Sequence, residues 1–476
     1  MILLDLLNPK RWSRVDPRML PFADLATASL PMGKLFRLSL FQVSVGMATA
    51  LLVGTLNRVL IVELGVAAWL VAAMVALPVL VAPLRAFIGF KSDTHRSAIG
   101  WRRVPYIWTG SLLQFGGLAI MPFALILLSG DTHWPLWIGP ASAALSFLLV
   151  GLGAQTVQTA GLALATDLAE PEQRPRMVAL MYTMLLLGML VSALVFSALL
   201  EEFSKFRLIQ VVQAASFIGF ILNMIALWKQ EPRRPGQTKA VGSPEQFGSA
   251  WSGFVSVPGN RRFLFALAMG TMAFAMQDII LEPYGGEVLG LSVSATSFLT
   301  VLLAGGALLA FLMSAKWLRN GWPANWVAAL GAVVGLFAFA MVILAEPMAS
   351  SGLFRLGTFL IGLGGGLFSI GTLAAAMTLD NQGHVGMAIG AWGAVHATST
   401  GIAIAMGGAI RDLVSGLAAS GELGTVLSSV GVGYAAVYQI ELLLLFVTLI
   451  ALGPLVFRMR AAAPSDKKFG LADFPS

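Results

Sequence analysis

KQEPRRPGQTKAVGSPEQ, residues 229–246, forms the core of the longest polar interval in the chain, 229–261, and falls at the midpoint of its 476 residues. On either side, nearly uncharged apolar runs recur at about the 20-residue length that crosses a hydrocarbon core of about 30 Å. Six precede it, near 36–57, 66–86, 104–129, 135–160, 177–199 and 208–228; six follow, near 262–282, 294–315, 323–345, 353–377, 386–409 and 433–457. The pattern predicts an all-α integral membrane protein of twelve transmembrane helices, with the Pro- and Gly-rich stretch as a flexible link between two six-helix halves. The expected divisions are an N-terminal segment 1–35, a first half 36–228, the linker 229–261, a second half 262–457 and a tail 458–476.

Composition agrees. With 57% hydrophobic and 11% charged residues, the chain has too little polar surface to coat a water-soluble globule. It contains no cysteine, which excludes disulfides, thiolate metal sites and thiol nucleophiles. The opening MILLDLLNPKRWSRVDPRMLPF has its short apolar run first, followed by Lys10, Arg11, Arg14 and Arg18. That order fits an interfacial cytoplasmic helix better than a secretory signal.

Sorting the basic residues by loop places 24 on the side of the N-terminus and five on the other: Arg58, Lys205, Arg207, Arg355 and Arg411. Arg85 falls inside a span. The positive-inside rule then expects both termini in the cytoplasm, and it accounts for the net charge of +7 without nucleic acid. A shift of 225 residues sets VELGVAAW (62–69) beside EVLGLSVS (287–294) and Lys91 over Lys316. That faint match is expected of duplicated six-helix halves.

The loop after the second span, GFKSDTHRSAIGWRRVPY, carries Gly89, Asp93, Arg96, Gly100, Arg102 and Arg103. It resembles the signature of the major facilitator superfamily, with three extra residues between the acid–base pair and the second glycine. A carboxylate there can accept from arginines and a helix N-terminus, making a latch between conformations; a solvated basic loop is the alternative. The second-half counterpart, SAKWLRNGWPANW, lacks the acid. In ALATDLAEPEQRPRMVALM, Asp167 reads as a helix-end residue at a tight turn, as does Asp380 in AMTLDNQGHVGMAIGAW.

Catalysis has little support. There is no phosphate-binding loop, and GLGGGLFSIG (362–371) fits neither nucleotide fingerprint, so close helix packing explains it better. Four histidines and no HExxH leave no basis for a protein-ligated catalytic metal. Ionisable groups inside spans are functional hypotheses by default. Asp278 and Glu282 lie one turn apart near the outer end of the seventh span, with Arg58 as an expected partner; proton coupling and a merely paired interfacial acid are both open. Glu441 is similarly ambiguous. Gln155, Gln158 and Thr159 suit either a cavity wall or a helix contact.

LEPYGGEVLGLSVSATSFLT (281–300), the 89–108 loop, ALATDLAEPEQRPR (163–176) and AIGAWGAVHATSTGIA (388–403) together resemble the PucC/LhaA family, a branch of the major facilitator superfamily in purple phototrophs. The similarity spans essentially the whole chain and leans toward the members associated with the core antenna. The resemblance implies a non-enzymatic assembly factor of the intracytoplasmic photosynthetic membrane. Such a protein would bind bacteriochlorophyll a and deliver it to newly inserted LH1 antenna polypeptides. The implied partners are those polypeptides, the reaction centre–LH1 complex, and the pigment-synthesis or membrane-insertion machinery.

Magnesium in such a pigment accepts one axial ligand, commonly a neutral imidazole. His396 supplies one about ten residues into the eleventh span, some 15 Å deep at 1.5 Å per residue. Gly390, Gly393 and Gly401 are expected to leave room, and Trp392 stands one turn away on the same face. The alternative is that His396 packs and donates to a neighbouring helix; His384, at a turn, is a second candidate ligand. A proton-coupled transporter of small solutes and a pigment-free scaffold for antenna helices remain alternative functions.

Overall fold

The computed structural model describes residues 31–80, 101, 103–129, 134–135, 137–169, 174–231, 257–378, 385–424 and 429–460. Among them, eleven helices are long and apolar enough to cross a membrane, and a shorter apolar helix stands second in the chain. The first half comprises α1 (Met32–Thr49), α2 (Ala68–Leu80), α3 (Val104–Leu128), α4 (Ile138–Leu168), α5 (Arg174–Leu199) and α6 (Lys205–Leu227). In the second half the first span is broken into α7 (Pro258–Ala275) and α8 (Gln277–Glu287). It is followed by α9 (Val293–Arg319), α10 (Ala324–Ala345), α11 (Ser351–Thr378), α12 (Val385–Ala419) and α13 (Val432–Arg460). The end at which α1 begins and α13 finishes is termed proximal, the other distal.

Helix is the form this composition must take in hydrocarbon, because every backbone donor and acceptor is then satisfied within its own segment. Packing repeats at an offset of one half. α3 packs on α4 as α10 does on α11, α1 on α6 as α7 does on α13, and α1 on α5 as α7 does on α12. The halves meet where α2 lies on α12 and α5 on α9. This is a pseudo-symmetric pair of six-helix bundles. The inner helices show themselves by burial: the first span is 83% covered and the seventh 67%, against 28% for the span carried by α12.

Small residues set how closely the helices approach. Each glycine of 362–371 faces another helix: Gly362 meets the Leu303 backbone, Gly364 the Gly331 carbonyl, Gly366 Ala307 and Ala310, and Gly371 the Ala328 backbone. A Cβ at these positions would displace α9 or α10, so the cluster is a packing surface, as the sequence implies. Gly408 does the same between the halves, against Ala68 and Ala72 of α2.

At the distal end three spans run past their expected limits, each by extending through charge. α1 continues into two π-helical stretches, Ala50–Leu56 and Val59–Glu63, so one helical run reaches Glu63. The seventh span runs on to Glu287, and α12 carries Arg411 and Asp412 within the helix, where the sequence places Arg411 in a loop. In each case a charged side chain that would end an apolar run is paired inside the protein, which removes the cost that makes it a boundary.

Candidate functional site

The distal ends of α1, α8, α12 and α13 gather most of the buried polar side chains that cross the molecule. Gly54 lets α1 approach so closely that its missing Cβ would meet the Glu282 carboxylate and the Thr300 hydroxyl. Asn57 donates through Nδ2 to the carbonyls of Asp278 (3.2 Å) and Ile279 (3.0 Å), and Thr55 and Ser297 share a hydroxyl contact of 3.2 Å. Arg58 corrects the sequence expectation: its direct partner is Glu63 at 2.5 Å, and it also donates to the Leu291 carbonyl at 3.1 Å. Neither Asp278 nor Glu282 is bound to it. The reason is the π winding, whose i→i+5 bonds, as from Leu64 N–H to the Val59 carbonyl, bring positions five apart onto one face.

Asp278 accepts from Gln277 Nε2, while Glu282, only 4% exposed, accepts from the Thr300 hydroxyl at 2.5 Å. Glu441 on α13 is fully buried, and α13 packs on both α7 and α8. The unpartnered atoms here include the acceptors Asn57 Oδ1, Gln277 Oε1, Glu282 Oε2 and both Glu441 oxygens, and also Arg58 Nε and the Tyr438 hydroxyl, which can donate. A second cluster closes the same end. Arg411 pairs with Glu287 and Asp412, donates to the Tyr434 hydroxyl at 3.0 Å and lies 4.7 Å from that ring's centre. Asp412 in turn accepts the Trp69 backbone N–H at the start of α2, 2.7 Å away. Glu63, Glu287 and Tyr434 were missed by sequence reasoning. Only Glu63 carries a local signal, its spacing from Arg58.

At the proximal end, Arg103 donates through Nε to Asp167 at 3.0 Å, and the Glu231 carboxylate accepts the backbone N–H groups of Arg103 and Val104 at the start of α3. Asp167 is therefore an ion-pair partner in a joint between α3, α4 and α6, more than the turn residue its sequence implies. Gly89, Asp93, Arg96, Gly100 and Arg102 of the expected latch, and the second candidate ligand His384, lie outside the described residues. Gln158 turns out to be a helix contact, donating to Gln42 on α1 at 3.4 Å, while Gln155 Oε1 is buried without a partner.

His396 stands on α12, stacked on Trp392 with ring centres 4.9 Å apart and planes inclined by 26°. Trp392 is itself fixed by donating to the Thr372 hydroxyl of α11 at 3.1 Å. The imidazole is half-buried, and among the described residues neither ring nitrogen has a hydrogen-bond partner. A Cβ built on Gly393, one turn before His396 on the same face, would meet nothing within 4 Å, so there is open space beside the ring. Gly401 is buried against the protein and leaves no such space. Because α12 runs for 35 residues, well beyond the expected span, its midpoint lies six residues past His396. The imidazole therefore sits about 9 Å to the proximal side of the helix centre, instead of mid-span.

These residues fit an axial ligand site for a magnesium tetrapyrrole: a neutral nitrogen donor without a competing partner, an aromatic wall, and open space beside Gly393. Among the described residues no group of three or more His, Asp or Glu could hold a bare metal ion.

Known proteins place this geometry in context. The chain is 52% identical over 464 residues, 96% of its own length and 97% of the relative's, to an uncharacterized protein in the puhA-bchM intergenic region of Rhodobacter capsulatus. It is 54% identical over 410 residues to Protein PucC of Rhodovulum sulfidophilum, covering 85% of this chain and 90% of that one. In fold it is similar to the nucleoside transporter NupG, with TM-score 0.62, 13% identity and 88% and 99% of the two chains covered. A bacterial homologue of the iron transporter ferroportin in its inward-facing state gives 0.63, at 16% identity and 88% and 97% coverage. The fold is thus that of the major facilitator superfamily. The family profile described as PUCC protein matches residues 55–460, and with relatives at about half identity over nearly their full length, this multi-pass membrane chain belongs to the PucC family.

Proposed function

We propose that this protein is a non-enzymatic assembly factor that binds bacteriochlorophyll a and delivers it to nascent LH1 antenna polypeptides in the intracytoplasmic photosynthetic membrane. Both termini would face the cytoplasm, on the ground of the 24-to-5 bias of basic residues. The observation that carries the reading is His396: a half-buried imidazole within a span, with unpartnered nitrogens and an open flank. Trp392 and Thr372 would hold the imidazole's orientation, and the absent side chain of Gly393 would admit a flat ring. The bound pigment supplies the magnesium that such a nitrogen ligates. The partners expected are antenna polypeptides, the reaction centre–LH1 complex and the machinery that makes the pigment or inserts the polypeptides.

The test is an absorption spectrum and extracted-pigment ratio on protein gently purified from a phototrophic host, beside His396→Leu at equal expression. Near-infrared absorbance in the parent, lost in the variant, supports delivery through this ligand. A colourless parent overturns the carrier reading in favour of a scaffold for antenna helices, and equal pigment in both places the ligand elsewhere. A second reading, proton-coupled solute transport, is favoured by one observation: the unpartnered Glu282 and Glu441 oxygens. Proton uptake by reconstituted protein, absent in a Glu441→Gln variant, would support it.

A further inference from the structure

A cavity of about 1220 Å³ opens at the proximal end between α3 and α6, beyond the roughly 300–1,000 Å³ of a drug-sized ligand pocket. It is remote in sequence and fold from the His396 face, on helices of the other half. Its walls are predominantly apolar, with Trp101, Trp108 and Trp228 among the lining residues. Trp108 and Trp228 are 45% and 65% exposed on the outer flank of the bundle, the place and residue type of a membrane interface. Trp108 is braced from behind by Phe220, at 5.9 Å edge to face.

The polar rim is cationic. Lys34 and Lys229 both line the cavity, and among the described residues neither ammonium has an ion-pair or hydrogen-bond partner. Lys229 is held there by the chain itself: it adopts a φ of 53°, a left-handed turn at the end of α6 that a lysine seldom takes without tertiary support. Among the described residues the one carboxylate of the rim is Glu231, which faces the first N–H groups of α3, where it complements the positive end of that helix. Gln230 donates to the Lys34 carbonyl at 3.2 Å, tying the two lysine-bearing segments together.

An aromatic, membrane-facing trough with two unpaired ammoniums at the depth of the helix ends is complementary to one kind of molecule. We propose that it is a binding site for an anionic phospholipid, its phosphate between Lys34 and Lys229 and its acyl chains along the tryptophans.

The full-length protein in detergent is titrated with dioleoyl phosphatidylglycerol or dioleoyl phosphatidylcholine, and bound lipid is read by native mass spectrometry. The parent is expected to prefer the anionic lipid by about tenfold or more, and Lys34→Gln/Lys229→Gln to bring the preference to about twofold or less with its melting temperature unchanged. Trp228→Ala, which leaves the charges in place, is expected to weaken both lipids. Equal binding of the two lipids by the parent, or a preference that survives the double lysine variant, overturns the proposal. So does displacement of the lipid by millimolar inorganic phosphate, which assigns the site to a free anion. If lipid binds only after deletion of residues 1–30, the occupant is that segment of the chain and the lipid site is refuted.

Discussion

At the scale of single residues, the molecule is governed by how it treats charge in an apolar interior. Arg411 is the clearest case. It holds Glu287, Asp412 and the Tyr434 hydroxyl together, with side chains only 13% exposed for Arg411 and 20% for Glu287. Arg411→Ala strands a carboxylate in that site and is expected to cost about 3 kcal/mol, read as a lowered melting temperature in detergent. Adding Glu287→Gln to it should recover part of the loss, since one of the two carboxylates left without Arg411 is then neutral while Asp412 stays charged. Glu441 predicts the opposite. Both its oxygens lack donors, so Glu441→Gln, which keeps the shape and removes the charged form, is expected to cost less than about 0.5 kcal/mol. A large loss of stability would mean that Glu441 is paired in a way the described contacts do not include. His396 was legible from the sequence as the lone imidazole of an uncharged run, and Trp392 as its neighbour on the helix face. That its nitrogens stay free was not, because a packing histidine and a ligand histidine have the same sequence pattern.

At the scale of elements, the first span is where helix geometry does the most to shape the distal end. A regular α-helix from 33 to 63 would put Arg58 and Glu63 on different faces, whereas the π turns align them. The same segment brings Gly54 against Glu282 and Thr300. Gly54→Leu is expected to destabilise the protein by about 1–3 kcal/mol through overpacking. Gly453→Ala in α13, where a Cβ meets nothing within 4 Å, is the matched control and should cause no loss. Thermal melts of the two variants beside the parent check both outcomes. The sequence placed this helix correctly and stopped it near 57, because a charged residue is the usual end of an apolar run. The continuation depends on partners from α8 and the loop before α9, which no local pattern reveals.

At the scale of the whole molecule, the two halves are held at the distal end by bonds that cross between them. Besides the Asp412 bond to α2, Ser197 of α5 donates to the Ser294 carbonyl of α9 at 2.9 Å, with the two hydroxyls 3.2 Å apart. The chain has no cysteine, so Ser197→Cys/Ser294→Cys supplies a cross-link without background. The pair is expected to oxidise nearly completely under a mild oxidant, seen as a gel shift that a reductant reverses. If pigment delivery needs the halves to rock apart at this end, the oxidised protein will retain bound pigment and fail to support antenna assembly in a reconstituted system. If it delivers normally, the protein works without opening there.

The sequence by itself determined the membrane class, the twelve spans, their pairing into halves and the family, because these follow from hydrophobic length, the placement of basic residues and motifs carried within single segments. It also exposed the glycine run of α11 as packing surface and His396 as the one titratable group of the uncharged run 388–408. Only the tertiary structure decided the partners: Glu63 for Arg58, Glu287 and Tyr434 for Arg411, Asp167 for Arg103, and Thr372 as the residue that orients Trp392 beside the imidazole. The physical reason is that burial in hydrocarbon makes each charged or polar group depend on its nearest complement, and for all but Glu63 that complement arrives from another helix, tens to hundreds of residues away.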